Sequence, residues 1–151
     1  MENSIAGLLP EALLVDLPEI DAQHEEIFNR IESLKIACFE SNYVPIDEFR
    51  VLLEDFAVHF ATEERIAGDA GLDFADHTRI HDDTLRMLHR ALGEVISSGR
   101  DVHSFLRYCE YWFERHISED DRVFLSVLQT GYYQPASRLR HASSPCFSAS
   151  A

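Results

Sequence analysis

Ionisable side chains recur in this sequence at positions where a buried apolar residue is expected. His59 follows Phe56 by three residues, and Glu63 follows His59 by four. His77 and His81 are also four residues apart. Residues four apart on a helix have Cβ atoms within roughly 6 Å of each other, so both side chains of such a pair can reach one metal ion. The two pairs therefore predict metal ligands on the inward faces of two helices.

Two further histidines and an acidic cluster complete this pattern. His24 precedes Ile27 by three residues and His116 follows Trp112 by four, so both histidines point inward. One buried polar group without a partner costs roughly 1–3 kcal/mol, and the inward faces offer no lysine or arginine to compensate. A single inward histidine is usually a hydrogen-bonded core residue. Five histidines and two carboxylates from four segments are better explained together, by one shared metal centre.

Spacing leaves the second carboxylate ligand open between two residues. Asp120 follows His116 by four residues, whereas Asp121 follows it by five and lies about 140° from it around an ideal helix. Asp121 nevertheless follows Ile117 by four residues and precedes Phe124 by three, which keeps it at the edge of the apolar stripe. Either aspartate is compatible with the pattern.

The ligand types indicate which metal such a centre holds. Seven ligands exceed what one tetrahedral zinc ion takes, so two metal ions bridged by carboxylates are predicted. Imidazole and carboxylate without thiolate suit iron, with manganese or zinc as alternatives. A zinc peptidase lacks its general base here, because Thr78 follows His77 where H-E-x-x-H needs glutamate. None of these histidines has the Glu-x-x-His spacing of ferritin-like oxidases, and histidine-rich ligation favours reversible oxygen binding over oxygen activation.

Four segments with apolar residues at helical spacing must position these side chains. No stretch alternates with the period of two that a half-buried strand shows, so the pattern predicts an all-α protein. Because the connections are short, we expect an up-down-up-down four-helix bundle. The predicted boundaries are starts after Pro18 and Pro45, N-caps at Asp73 and Asp101, and ends near Gly68, Gly71 and Gly99.

Two segments lie outside the predicted helices. Residues 1–17 are expected to form an N-terminal arm over the bundle, and residues 132–151 a Ser-rich, flexible C-terminal tail. Residues 1–131 then form a single domain. The three cysteines form no C-x-x-C pair and are predicted to be free thiols, with Cys38 and Cys109 in the core.

The charge of the chain argues against several classes of partner. A formal net charge of -14 disfavours nucleic acid and anionic membrane surfaces, because both require a basic patch. No apolar run approaches the roughly 18 residues needed to cross a bilayer, and the N-terminus lacks the pattern of a signal peptide. We therefore expect a cytoplasmic protein.

Four motifs give the chain a resemblance to the hemerythrin family, specifically to its single-domain bacterial members, the bacteriohemerythrins. They occur in family order between residues 20 and 121 and comprise I-D-A-Q-H ending at His24, H-F-A-T-E-E from His59, H-T-R-I-H from His77 and W-F-E-R-H-I-S-E-D-D from Trp112. The H-x-x-x-H element alone is common, whereas the combination is highly specific.

The resemblance implies a non-haem di-iron centre with a bridging oxo or hydroxo group. One iron would be bound by His77, His81 and His116, and the other by His24 and His59. The two irons would be bridged by the carboxylates of Glu63 and Asp121. In the family pattern an aspartate follows the last histidine by five residues, which selects Asp121 over Asp120.

The function that the resemblance implies is reversible binding of dioxygen for storage, delivery or buffering. Dioxygen would bind the iron that has two histidines, in a pocket lined by Phe60, Trp112 and Ile117 and also by Phe113, at a position often held by leucine. The alternatives are an oxygen or redox sensor that contacts a protein partner through the tail, and a di-iron peroxidase or nitric oxide reductase. Reversible binding, rather than enzymatic turnover, is the expectation.

Overall fold

Four long helices account for most of the residues that the structure describes. The computed structural model describes residues 10–41, 44–99 and 101–130, and no strand occurs in these ranges. A short 3-10 turn at Glu11–Leu13 precedes α1 (Pro18–Ser41), α2 (Ile46–Asp69), α3 (Ala75–Ser98), α4 (Val102–Arg115), a π-helical turn at His116–Asp121, and α5 (Arg122–Thr130). The last three are continuous and together form the fourth helix of the bundle. The all-α prediction is confirmed.

Contacts between the helices show that neighbours run antiparallel. α1 packs on α2, α2 on α3, α3 on the fourth helix, and the fourth helix on α1. In each interface, residue numbers rise along one helix as they fall along the other. Between α1 and α2, Glu19 contacts Arg65 and Arg30 contacts Asp55; between α2 and α3, Phe60 contacts His81 and Glu63 contacts His77. At the α3 interface with the fourth helix, Phe74 contacts Phe124 and Met87 contacts Tyr108; between the fourth helix and α1, Asp121 contacts His24 and Glu110 contacts Lys35. This is the predicted up-down-up-down order.

Most of the predicted helix boundaries are reproduced. α1 begins at Pro18 itself rather than after it, because proline suits the first helical position, where its missing N–H costs no hydrogen bond. Asp101 caps α4 by accepting a hydrogen bond from the backbone N–H of His103 at 3.1 Å. Gly99 ends α3 in the left-handed conformation with φ 69°, which glycine adopts without steric cost.

The predicted N-cap of α3 is wrong by one residue. Phe74 immediately precedes the first helical residue, Ala75, so Asp73 lies one position outside the cap. The half-buried ring of Phe74 packs against His77 and Phe124, which holds it in the cap position. Asp73 still contributes, because its Oδ1 accepts a hydrogen bond from the backbone N–H of Ala75 at 3.2 Å.

The described part of the N-terminal arm lies against the bundle. Leu13 and Val15 are buried in the core, and the backbone N–H of Val15 donates to Oδ1 of Asp21 at 2.9 Å. This hydrogen bond ties residues 10–17 to the first turn of α1. Residues 1–9 of the predicted arm lie outside the described residues.

The structure describes two of the three cysteines but not the predicted C-terminal tail. Cys38 and Cys109 are buried free thiols, as predicted. The predicted tail at residues 132–151, which includes Cys146, lies outside the described residues. Within the described ranges, no helix combines the length and apolar character needed to cross a membrane.

Candidate metal centre

All seven predicted metal ligands lie together in the interior of the bundle. They occupy the end where α1 and α3 begin and where α2 and the fourth helix approach their C-termini. None of them is more than 4% exposed: His24, His59, Glu63, His77, His81, His116 and Asp121. The apolar stripe of each helix therefore carries its ionisable residues into one shared space.

The ligand atoms form two groups that share their carboxylates. The three-histidine group consists of His77, His81 and His116 with Glu63 and Asp121. The two-histidine group consists of His24 and His59 with the same two carboxylates. Within each group, one ligand atom from every residue lies within 4.8 Å of all the others.

Glu63 directs one carboxylate oxygen to each group. Its Oε1 lies 3.4 Å from Nε2 of His77 and 3.2 Å from Nε2 of His81. Its Oε2 lies 3.2 Å from Nε2 of His59, on the same helix one turn earlier. The two oxygens of one side chain thus face two different sets of histidines.

Asp121 divides its oxygens in the same way. Oδ1 lies 3.0 Å from Nε2 of His116 and 3.1 Å from Nε2 of His77. Oδ2 lies 3.3 Å from Nε2 of His24 and 3.9 Å from Nε2 of His59. Two carboxylates arranged in this manner are suited to hold a pair of cations side by side.

A π-helical turn explains why Asp121, rather than Asp120, joins the ligand atoms. On a regular α-helix the residue four after His116 would lie above it, but a π-helix forms i→i+5 hydrogen bonds and brings the fifth residue round instead. Asp121 consequently meets Nε2 of His116, while Oδ2 of Asp120 lies 2.9 Å from Nδ1 on the other edge of the ring. Both aspartates contact the same imidazole.

Imidazole nitrogens also face one another across each group. Nε2 of His24 lies 3.1 Å from Nε2 of His59, and Nε2 of His81 lies 3.3 Å from Nε2 of His116. Donor atoms in adjacent positions around a cation with bonds of about 2.1 Å lie roughly 3.0 Å apart. The observed separations match that spacing, so the residues present fit metal ions.

Among the residues that the structure describes, three carboxylate oxygens in the centre have no hydrogen-bond partner. Both oxygens of Glu63 and Oδ2 of Asp121 are buried without one, although imidazole nitrogens lie nearby. Leaving a buried polar atom unsatisfied costs roughly 1–3 kcal/mol, and more for a charged group. Coordination of cations would give these oxygens partners. If the residues had only a structural role, the oxygens would remain without partners.

The surroundings keep both carboxylates ionised. Burial and the charge of Asp121 act to raise the pKa of Glu63, but His59 and His77 outweigh them and hold that pKa well below its usual range. Burial also opposes ionisation of Asp121, whose pKa is nevertheless held well below its usual range, chiefly by His116. The shared ligands therefore present negative charge to any cation.

The histidines respond to these carboxylates unequally. Burial acts to lower the pKa of His59, but Glu63 and Asp121 outweigh it and raise the pKa to about 9. His116 behaves similarly, because its two aspartate neighbours raise its pKa well above its usual range against the effect of burial. In contrast, burial lowers the pKa of His81 to about 4.

Acidification is therefore expected to weaken cation binding. A proton occupies His59 below a pH of about 9 in the cation-free protein, and a ligand nitrogen must lose its proton before it coordinates. Each displaced proton reduces the apparent affinity by up to about tenfold per pH unit below that pKa. Competition with a chromogenic chelator between pH 6 and 8 measures this slope. The exposed His89→Ala variant should show the same slope as the native chain, and an affinity independent of pH would contradict the prediction.

Three acceptors that hold the outer edges of the histidines were not anticipated from the sequence. Each faces the Nδ1 atom of one histidine: Gln23 Oε1 at 2.8 Å from His59, Glu64 Oε2 at 3.2 Å from His81, and Asp120 Oδ2 at 2.9 Å from His116. An Nδ1–H that donates outward leaves the Nε2 lone pair free for a metal. All three residues are adjacent in sequence to a predicted ligand, and this adjacency is the feature of the sequence that could have identified them.

Aromatic rings stack on each imidazole of the three-histidine group. Phe60 lies parallel to His81 at 3.9 Å between ring centroids, and Trp112 lies nearly parallel to His116 at 4.6 Å. Phe74 does the same for His77 at 4.2 Å. Phe60 and Trp112 were predicted to line a dioxygen pocket, whereas Phe74 was not among the predicted site residues. Its spacing of three residues before His77 was the signal.

The fully buried ring of Phe113 lies against the two-histidine group instead. It stands nearly perpendicular to His24 and to His59, with centroid distances of 5.2 and 5.7 Å. Phe28 and Phe56 pack on it from the core, each at 5.1 Å. Ile117, the other predicted pocket residue, is also completely buried. The role of these residues in binding a ligand remains a prediction.

Comparison with known proteins agrees with this arrangement. The profile of the family described as "Hemerythrin HHE cation binding domain" matches residues 15–128, a stretch that contains every residue of both groups. Neither the curated proteins nor the solved structures yield a significant match to the chain. Because the match covers most of its length, the chain belongs to the hemerythrin family of cation-binding domains.

Proposed function

We propose that this chain holds two iron ions at the carboxylate-linked centre and binds dioxygen there reversibly. The observation that carries the proposal is the division of oxygens in Glu63 and Asp121, each of which faces both groups of histidines. A single cation within one group would contact only the oxygen of each carboxylate that faces that group. Two cations would use all four and would leave none of the buried oxygens unpartnered.

The ligand types favour iron among the metals that such a centre accepts. Each group combines imidazole with carboxylate, and neither contains a cysteine. This set suits iron, with manganese and zinc as weaker alternatives, whereas thiolate would be expected in a structural zinc site. The negative charge of two ionised carboxylates would partly neutralise the cations in a buried site.

The unequal size of the two groups supports binding of an external ligand. The three-histidine group offers five ligand residues and the two-histidine group four. An octahedral cation held by the four residues of the smaller group would have positions left for an external ligand. When bound, a pair of ferrous ions would supply the electrons through which dioxygen binds reversibly.

The residues around the smaller group determine what reaches that position. Phe113 lies against both His24 and His59, and Phe28 and Phe56 pack on Phe113. A small uncharged molecule such as dioxygen can enter apolar surroundings, whereas the transfer of ions and polar molecules into them is costly. These rings would therefore admit the ligand and limit access of water to it.

Anaerobic reconstitution tests this function directly. The metal-free protein is loaded with ferrous iron, and its absorption spectrum is recorded under argon, after exposure to air, and under argon again. We expect a charge-transfer band that appears with oxygen and disappears without it, at two irons per chain. His24→Ala should abolish the band, whereas the exposed His89→Ala should retain it.

Other outcomes would contradict the proposal in distinguishable ways. A protein that takes up zinc but no iron would exclude an iron centre. A band that does not reverse under argon would exclude reversible binding. Irreversible oxidation accompanied by turnover of added peroxide would instead favour the di-iron peroxidase.

A further inference from the structure

The two groups of ligands differ in the charge of the residues behind them. In the three-histidine group, two Nδ1 atoms face carboxylates, His116 facing Asp120 at 2.9 Å and His81 facing Glu64 at 3.2 Å. In the two-histidine group, Nδ1 of His59 faces the neutral Gln23 at 2.8 Å, and Nδ1 of His24 is buried without a partner. One group therefore has negatively charged acceptors behind its ligands, whereas the described residues place none behind the other.

The neutral acceptor is held in a fixed orientation. Nε2 of Gln23 donates to Oγ1 of Thr62 at 3.0 Å, and that hydroxyl donates to the backbone carbonyl of Val58 at 3.0 Å. Because the hydroxyl proton is used by the carbonyl, Thr62 can only accept from Gln23. The amide oxygen of Gln23 must then face His59, which donates its Nδ1–H to it.

A carboxylate and an amide have different effects on an imidazole that coordinates a metal. A negative acceptor at Nδ1 makes the Nε2 lone pair a stronger donor, and loss of such a partner lowers metal affinity by about 10- to 100-fold. Asp120 should have the larger effect of the two acids, because its side chain is 10% exposed and that of Glu64 is 37% exposed. Solvent screens the more exposed charge.

We propose that these outer acceptors make the two cation positions unequal, so that the three-histidine position fills first and releases its cation last. Asp120 and Glu64 act as positioning residues that strengthen one position, while Gln23 leaves the other weaker. This inference depends on the proposed binding of two cations. Ordered filling would keep the position that receives the external ligand vacant until its neighbour is occupied.

Titration of the metal-free full-length chain with cobalt(II) alone tests this order. Absorption and calorimetry should resolve two steps in the native chain. His24→Ala should retain the tighter step and lose the weaker one, whereas His77→Ala should lose the tighter one. Loss of the tighter step in His24→Ala would reverse the proposed order and overturn it.

Charge-neutralising variants separate the effect of the outer acceptors from the number of ligands. Asp120→Asn should weaken the tighter step by about 10- to 100-fold and leave the weaker step unchanged. Glu119→Gln removes the same charge from an exposed neighbour, which pairs with Arg115, and should change neither step. Gln23→Glu adds a charge behind His59 and should strengthen the weaker step.

A second variant keeps the test decisive if Asp120→Asn does not fold. Glu64→Gln alters a partly exposed side chain and should weaken the tighter step in the same direction but by less. If Glu64→Gln and Asp120→Asn both bind two cations with the affinities of the native chain, this inference is overturned while the proposed function stands. Fewer than two cations in the native chain would overturn both.

Discussion

Replacement of Asp121 by asparagine is expected to abolish stable cation binding at both positions. The carboxylate of Asp121 is completely buried and supplies one oxygen to each group of histidines. Asparagine keeps the size but removes the charge, and it turns an NH2 group toward one set of Nε2 atoms. We expect both affinities to fall by more than about 100-fold, the upper range for loss of an outer partner. Elemental analysis after dialysis, followed by cobalt(II) titration, measures the loss.

Asp120→Asn is the matched control, because it removes the same charge from the neighbouring residue. It should weaken only the position that contains His116 and should still permit two cations to bind at saturating concentration. The reverse result, in which Asp120→Asn loses both cations and Asp121→Asn keeps them, would contradict the π-helical turn. It would mean that the regular α-helical register places Asp120 among the ligands.

Removal of bound cations is expected to lower the melting temperature substantially. A ligand that binds only the folded chain stabilises it by about 2.7 kcal/mol when its free concentration is about 100 times the dissociation constant. Two such cations contribute about 5 kcal/mol, and each kcal/mol shifts the melting temperature of a chain of this size by about 2–4 °C. Chelation should therefore lower it by roughly 10–20 °C.

Calorimetry of the loaded and chelated protein at fixed pH tests this expectation. The buried, unpartnered oxygens of Glu63 and Asp121 give the physical reason, since they regain partners only when a cation is present. The Asp121→Asn variant should melt at the same temperature with and without chelator. If chelation also left the melting temperature of the native chain unchanged, the bound cations would contribute nothing to its free energy of unfolding.

Much of the centre follows from local spacing alone. Successive residues on an α-helix are rotated by a constant angle, so residues four apart share a face wherever the helix is regular. This is why spacing alone predicts that His59 pairs with Glu63 and His77 with His81. The same periodicity predicted the four helices, and turn residues such as Gly99 predicted where they end.

Local spacing failed at the fourth helix for an identifiable reason. Rotation per residue is constant only while each N–H bonds to the carbonyl four residues before it, and at His116–Asp121 that pattern widens by one residue. In sequence the spacing favoured Asp120 no less than Asp121, and only a family pattern separated them. The π-helical turn sets the orientation of both side chains.

The linear pattern of apolar and ionisable residues was thus sufficient to specify an all-helical bundle and to identify the side chains that turn inward. It did not specify which carboxylate oxygen meets which histidine, nor that Gln23, Glu64 and Asp120 lie behind the ligands. Helix periodicity is a property of neighbouring residues and can therefore be recognised from the sequence. Distances between atoms on different helices depend on how those helices pack, which no local pattern encodes.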